Sequence, residues 1–422
     1  MTITNGEELV DSAYYAAHGA PHDIWTRLRA ESPVHRCQPE GYPPFWAITK
    51  YDDITTISTQ PNRFINSRGI TLLKAADDSA LNASALASMR SIITMDPPEH
   101  HDIRAIATPS FTPRGISTLD DEIDRSAREV VDMMAGETGE GECDFATDIA
   151  TAHPLRILST MLGVPRSQEL DILRITNELF AFEDPELQRN ADRTKGLAEL
   201  AMEAYSMFDA IIQDRRTCPR DDLASLLANG CLHGEQLGIM ETMGYYLIVF
   251  SAGHDTTKNA LVGGMQAFIE HPDEIAKVRR DPGLIDRAVE EIIRWTSPVN
   301  YMKRTAAEDT EIRGQAIAAG DALVLFYASA NRDEDVFDDP FTFRVDREVR
   351  RNLGFGFGEH FCLGASLARR SQRAFWLELL PRLESIELAG EPQQIQSSFV
   401  VGQRHLPVRY RIRPAAIDGP PR

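Results

Sequence analysis

Leu353-Gly-Phe-Gly-Phe-Gly-Glu-His-Phe-Cys-Leu-Gly-Ala-Ser-Leu-Ala-Arg369 is the stretch from which the rest of the chain is read. Gly354, Gly356 and Gly358 alternate with Phe355 and Phe357. A backbone this bare can come close to a flat partner. Cys362 follows at the start of a helical pattern that runs from Leu363 to Leu380, where Pro381 closes it. Unpaired N–H groups and the positive dipole end collect at a helix start and stabilise a thiolate. Gly364 leaves room against a plane. Each feature also has an ordinary explanation. One cysteine is most often a small buried hydrophobe, and a GxG loop can cradle a phosphate. The loop holds no lysine and no clear strand precedes it, which weighs against a nucleotide.

Upstream, Gly234 to Glu270 reads as one long helix stopped by His271-Pro272. Ser251-Ala-Gly-His-Asp-Thr-Thr257 lies mid-way along it. Gly253 costs about 1 kcal/mol there relative to alanine, and threonine hydroxyls can bond back to helix carbonyls and bend the helix. Ala252 and Gly253 allow another helix to pack closely. His254 reads as a surface or salt-linked residue. Leu284 to Trp295 is a further helix, closed by Ser297-Pro298, with Glu291 and Arg294 three apart on one face. Taken alone, such a pair is a solvated ion pair worth little. Met95-Asp-Pro-Pro-Glu-His-His-Asp-Ile-Arg104 opens a helix with proline near its first turn. His100 and Arg104, four apart, point one way, and could simply form a solvated face.

Taken together these segments resemble the cytochrome P-450 family. Phe355, Gly356, Gly358, His360, Cys362, Leu363, Gly364, Leu367, Ala368 and Arg369 match its haem-binding signature, FGxGxHxCLGxxLAR. The haem of that family is held by a cysteine thiolate. The resemblance therefore implies that Cys362 is the axial ligand to the iron of haem b (iron protoporphyrin IX), with Phe355, Gly356 and Gly364 beside the macrocycle. Ser251 to Thr257 resembles the AGxDT motif, which implies that Ala252 and Gly253 let haem and dioxygen approach. Asp255 and Thr256 would then be catalytic, relaying protons to the oxygen being activated. Glu290-Glu-Ile-Ile-Arg-Trp295 resembles the ExxR helix, so that Glu291 and Arg294 are structural, supporting the cysteine loop with Arg344 or Arg347 as a third partner. Met95 to Arg104 resembles DPPxHxxxR. By that likeness His100 and Arg104, joined by Arg304 and His360, bond the haem propionates; four donors for two carboxylates is chemically adequate. Gly141-Glu-Cys-Asp-Phe145, Asp214-Arg-Arg-Thr-Cys-Pro219, Tyr301 to Ala306 and Ser329-Ala-Asn-Arg-Asp333 look like terpineol-oxidising bacterial members. Other parts resemble sterol and branched-lipid hydroxylases.

The fold so implied is mainly α (α+β), a helical prism with a smaller β-rich region, in a single domain over residues 1–422. Residue patterns agree with a helix-rich chain: Asp120 to Met134 and Leu155 to Leu162 read as helices. Phe45-Trp-Ala-Ile-Thr49, Ala322 to Phe326 and Leu406 to Ile412 read as strands. The function implied is a monooxygenase that inserts one atom of O2 into a small hydrophobic substrate, terpenoid-like, with a steroid or branched lipid as the alternative. A peroxide-driven haem enzyme or a haem-binding sensor would not need the Asp255–Thr256 pair. Pocket residues are expected from Gly69 to Thr94, Leu179 to Phe182, Val249 to Gly253, Val299 to Met302 and Phe399 to Val401, mostly apolar.

The 422 residues carry 44 Lys and Arg against 64 Asp and Glu, a formal net charge of −20. Nucleic acid and anionic membrane surfaces are therefore poor partners. The N-terminus has no signal-peptide pattern, and the most apolar run, Tyr245 to Phe250, is far too short to span a bilayer. Five cysteines without a CxxC pair give neither a disulfide framework nor a zinc site, and fit a reducing cytoplasm. The chain is expected to be monomeric. No stretch reads as a flavin or nicotinamide domain, so electrons must come from a separate protein. By resemblance that is a 2Fe–2S ferredoxin, itself reduced by an NAD(P)H-dependent ferredoxin reductase. Arg344, Arg347, Arg350 and Arg351 precede the cysteine loop, and Arg369, Arg370 and Arg373 follow it. They suggest a positive docking patch in an acidic molecule, with at least one arginine buried.

Overall fold

The computed structural model describes residues 3–75, 79, 91–180, 193–348 and 351–414. Its centre is the helix Ile239–Glu270, buried on most of its circumference from Thr242 to Phe268. A helix apolar all round belongs inside a core. It begins five residues later than the periodicity predicts. Cys231–Leu232 and Glu235–Gln236 form a small antiparallel hairpin instead. His233 and Gly234 between them both have positive φ, 51° and 89°, the conformation a two-residue hairpin turn demands.

Two apolar cores flank this helix. One gathers Ile103, Leu158, Phe208, Tyr246 and Phe250. The other gathers Val131, Phe268, Ile292, Trp376 and Val408. Helix Ile285–Thr296 puts Ile285, Ala288, Val289, Ile292 and Ile293 on its buried face, and ends at Ser297 in a left-handed conformation. Proline follows, which cannot continue a helix. Helices Asp120–Ala135, Ala152–Met161 and Ala365–Leu379 lie close to the expected spans.

The β structure brings distant parts of the chain together. A five-stranded sheet runs in the order Val34–Cys37, Phe45–Ile48, Ala322–Phe326, Tyr301–Ala306, Phe64–Ile65. Its one parallel pairing joins Phe45–Ile48 to Ala322–Phe326. Phe45–Ile48 is buried at every position, as an inner strand covered on both faces should be. A three-stranded sheet joins Leu383–Leu388, Pro407–Ile412 and Glu140–Asp144. In Pro407–Ile412 the buried Val408, Tyr410 and Ile412 alternate with exposed Arg409 and Arg411, the period of two of a half-covered strand.

The cysteine loop is pinned at both ends. Leu353 N–H donates to Asn331 Oδ1 at 2.7 Å, and Cys362 N–H donates back to Phe355 O at 3.0 Å. Gly358 has φ +72°, and a Cβ there would lie 2.0 Å from Ser58 O; only glycine fits. Beneath the loop, Glu291 accepts from Arg294 Nε at 2.7 Å and Arg294 Nη2 at 2.8 Å, and from Arg347 Nε at 3.1 and 3.0 Å. The third partner is thus Arg347. Arg344 contributes only its backbone N–H, at 3.0 Å. All three side chains of the network are buried, so the solvated ion pair is excluded.

Candidate functional site

One cavity lies between the long helix and the cysteine loop. Phe355, Gly356, Cys362 and Gly364 line one side, and Ala252, Gly253 and Thr256 the other. Ile92, Ile93, Ile248, Val249, Val299 and Met302 add an apolar wall. Cys362 is exposed to this space. Its helix begins only at Ala365. Burial pushes the thiol up, and the Gly364 N–H, Arg104 and Arg369 offset this only in part. The helix start alone therefore does not make the thiolate; a cation on the sulfur would. A Cβ on Gly364 would have only Phe111, at 3.9 Å, as a neighbour, so this glycine leaves open space rather than packing.

Four nitrogen-bearing side chains crowd one edge of the cavity: His100, Arg104, Arg304 and His360. The two histidine rings lie 4.1 Å apart. His100 Nδ1 sits 2.9 Å from Glu359, but Nε2 of both histidines is buried without a partner. Arg104 Nη2 reaches the Phe361 carbonyl at 2.6 Å. Arg304 Nη1 reaches the Lys303 carbonyl at 3.0 Å. Burial, then Arg304, His100 and Arg104, drive His360 down to about 2. An edge this rich in donors and poor in acids is a place for anions, and two carboxylates would answer the two orphaned imidazole nitrogens. Among the described residues no group of three or more His, Cys, Asp or Glu could hold a bare metal ion. A single cysteine suits a metal that arrives with its other ligands, as haem iron does. The donor set fits the haem that the sequence implies.

On the opposite wall Thr256 Oγ1 donates to Ala252 O at 2.6 Å, the back-bond expected of threonine in a helix. Asp255 does not line the cavity. Its Oδ1 meets His254 Nδ1 at 3.1 Å and Lys258 Nζ at 3.4 Å. Burial would raise this carboxyl, but Lys258 and His254 outweigh it and hold it at about 2. His254 is not on the surface. It is fully buried, and its Nε2 lies 3.3 Å from Thr151 O. Gly253 serves the packing its sequence context allows: a Cβ there would meet Leu158 at 3.0 Å. It also borders the cavity.

Not every expected pocket segment arrives. Val249, Ala252, Gly253, Val299 and Met302 line the cavity, but Phe399, Val400 and Val401 do not. Val400 is bridged to Val299, and Phe399 stacks edge-on against Tyr301. Residues 181–182, the side chains of 179–180 and most of 76–90 lie outside the described residues. Asn66 and Tyr327 also line the cavity; nothing in the sequence marks either, because neither belongs to a motif or a regular pattern.

The arginine patch is largely neutralised. Arg347 is committed to Glu291, Arg369 to Glu290, Arg370 to Asp120 and Asp124, and Arg373 to Asp286. Arg350 lies outside the described residues. Arg351 is exposed and sits over the rings of Phe357 and Phe361, at 4.3 and 4.7 Å.

A family model described as Cytochrome P450 matches residues 18–282 and 283–410. The chain belongs to the cytochrome P450 family. A protein named Cytochrome P450-terp from a Pseudomonas species is 39% identical over 407 residues, covering 94% of this chain and 95% of that one. A methyl-branched lipid omega-hydroxylase of Mycobacterium bovis is 35% identical, covering 91% and 89%. The crystal structure of a cytochrome P450 from Novosphingobium aromaticivorans superposes with a TM-score of 0.89 at 35% identity, covering 97% of this chain and 99% of the other. The P450 fold, the binding of haem and the monooxygenase class follow from this membership. No helix among the described residues is long and apolar enough to cross a membrane.

Proposed function

We propose that this P450 hydroxylates a compact hydrophobic, terpenoid-like molecule at the cavity wall formed by Ile248, Val249, Val299 and Met302. In this reading Cys362 ligates the iron of haem b through its thiolate. His100, Arg104, Arg304 and His360 hold the two propionates. Phe355, Gly356 and Gly364 flank the cofactor on the thiolate side, and Ala252 and Gly253 on the other. When bound, the haem supplies the activation of O2. The observation that carries the reading is the single thiol facing an apolar cavity whose one polar edge holds two orphaned imidazole nitrogens.

The chain's own residues then have separable tasks. The aliphatic wall excludes water and orients the guest by shape. Thr256 lines the cavity, and its hydroxyl, which donates to Ala252 O, can turn to hand on a proton there. Asp255, held ionised, works as a proton acceptor on the way to Thr256 rather than as a standing acid. Electrons come from a 2Fe–2S ferredoxin served by an NAD(P)H-dependent reductase. It approaches the cysteine loop near Arg351, the exposed arginine stacked on the residue before Cys362. We read the protein as a cytoplasmic, monomeric single domain; its cysteines are free.

A binding panel tests the substrate. Monoterpenes should shift the haem from low to high spin, and yield hydroxylated product with ferredoxin, reductase, NAD(P)H and O2. A panel in which only steroids or branched lipids shift the spin state moves the assignment to that alternative, which the lipid hydroxylase relative favours. A response to charged or large polar compounds alone refutes both.

A further inference from the structure

Asn66 follows the strand Phe64–Ile65 and lines the cavity with Ile92 and Ile93. It is an amide beside an aliphatic wall, and only 1% exposed. All but one of its polar groups are tied down. The backbone N–H donates to Asp96 Oδ1 at 2.6 Å, and the backbone carbonyl accepts from Gly69 N–H at 2.9 Å. The side-chain Nδ2 donates to the carbonyl of Ile93 at 2.9 Å. A carbonyl only accepts, so the atom facing Ile93 is the nitrogen, and the amide cannot be turned over. Oδ1 is left, buried and without a donor among the described residues. A buried amide oxygen without a donor is costly to keep. The cofactor does not supply one. Ionised propionates only accept, as Oδ1 does, and the rest of a haem rim is carbon. His100, Arg104, Arg304 and His360 carry hydrogens, but those are the groups the propionates take. What remains is a donor on the guest.

We infer that Asn66 is a specificity-determining residue whose Oδ1 accepts a hydrogen bond from a hydroxyl on the guest, so that the substrate is an alcohol with a compact apolar body. The inference rests on the reading of the cavity as the site of a compact hydrophobic guest, and names the polar group that guest carries. The class is narrowed from two sides. A hydrocarbon fits the aliphatic wall but leaves Oδ1 unpaired. A ketone or an ionised acid brings a lone pair to a lone pair. An alcohol satisfies both demands: its O–H ends at Oδ1, and its carbon skeleton lies against Ile248, Val249, Val299 and Met302. One anchor of this kind also fixes which way round the guest lies, which an aliphatic wall alone does poorly for a small molecule.

Spin-shift titration of the haem-loaded protein tests this with two guests of one carbon skeleton, carveol and carvone. They differ by two hydrogens: carveol can donate, and carvone can only accept. Carveol should bind about tenfold more tightly, the factor expected when a buried acceptor is left unpaired. In Asn66→Leu the ratio of the two affinities should fall to about one. General damage to the wall, or loss of the Nδ2 bond to Ile93, weakens both guests alike, so a merely structural role would leave the ratio where it was. Asn66→Ala carries the same expectation where the leucine variant holds no haem. Equal affinities in the parent, or a preference for carvone, overturn the proposal and leave the terpenoid reading standing. A preference for carveol that survives the substitution overturns it too, because another group then reads the hydroxyl. If neither guest shifts the spin state, the terpenoid reading falls and the Asn66 proposal with it.

Discussion

Replacing Arg347 by leucine removes one of the two guanidiniums on Glu291 and unties a loop. Arg347 Nε bonds both carboxylate oxygens, at 3.1 and 3.0 Å. Its Nη2 bonds the carbonyls of Asp339 at 3.1 Å and Thr342 at 2.6 Å, and its Nη1 bonds that of Asp338. Arg347 and Glu291 are both buried. Breaking a buried pair by deleting one partner costs about 3–5 kcal/mol. Glu291 keeps Arg294, which argues for the lower half of that range; among the loop carbonyls Asp338 loses its donor, while Asp339 keeps the Thr342 N–H at 3.0 Å and Thr342 keeps Arg294 Nη2 at 3.4 Å. Arg344→Leu is the control. Its only bond to Glu291 is the backbone N–H, which leucine retains, so its cost should stay within about 1 kcal/mol. The assay is urea unfolding at matched haem loading, because cofactor binding itself adds apparent stability. With an m-value of about 3 kcal/mol/M, the Arg347→Leu midpoint should fall by about 1 M and that of Arg344→Leu by a third of this or less. Equal shifts for the two variants would refute the assignment of Arg347 as the third member of the network.

Three further outcomes are expected. His153 is fully buried between Ser126 Oγ and Ser371 O, and burial pushes it from 6.5 to about 4. Between those values the unfolded chain binds the extra proton, so stability declines as pH drops through that window, by up to about 3 kcal/mol. His153→Gln should flatten this part of the stability–pH curve, and an unaltered slope contradicts the shift. Thr256→Ala should bind the guest and consume reduced cofactor as the parent does, yet release peroxide at the expense of product, measured as coupling. Arg351→Glu should slow reduction by the ferredoxin in stopped-flow at low salt, with the difference shrinking as salt rises; a salt-independent rate equal to the parent's places docking elsewhere.

What was legible in the sequence was local. Phe355 to Arg369 is a continuous loop and helix start, and His100 and Arg104 are one helical turn apart; their likeness to the P-450 motifs, rather than spacing, is what marks them as a haem site. The structure gathers them, with Arg304 and His360, around a single cavity. What was not legible depends on partners far along the chain. His254 reads as surface or salt-linked; its contact with Asp255 is there, but its burial shows only when Thr151, 103 residues away, closes over its Nε2. Arg370 and Arg373 look like a docking patch until Asp120, Asp124 and Asp286 arrive from other helices. Phe399 to Val401 look like pocket lining because they are apolar, but a bridge to Val299 and an edge contact with Tyr301 turn them away. The periodicity starts the long helix five residues too early because a turn of two residues, His233-Gly234, interrupts the apolar period only briefly.

The central claim is that the Cys362 thiolate holds the haem iron, and the absorption spectrum of the reduced, carbon monoxide-bound protein tests it most directly. The parent should show the thiolate-type band, and Cys362→Ser, matched for folding by circular dichroism, should lose it. The same band in Cys362→Ser would contradict the account, because the iron would then be held by another residue.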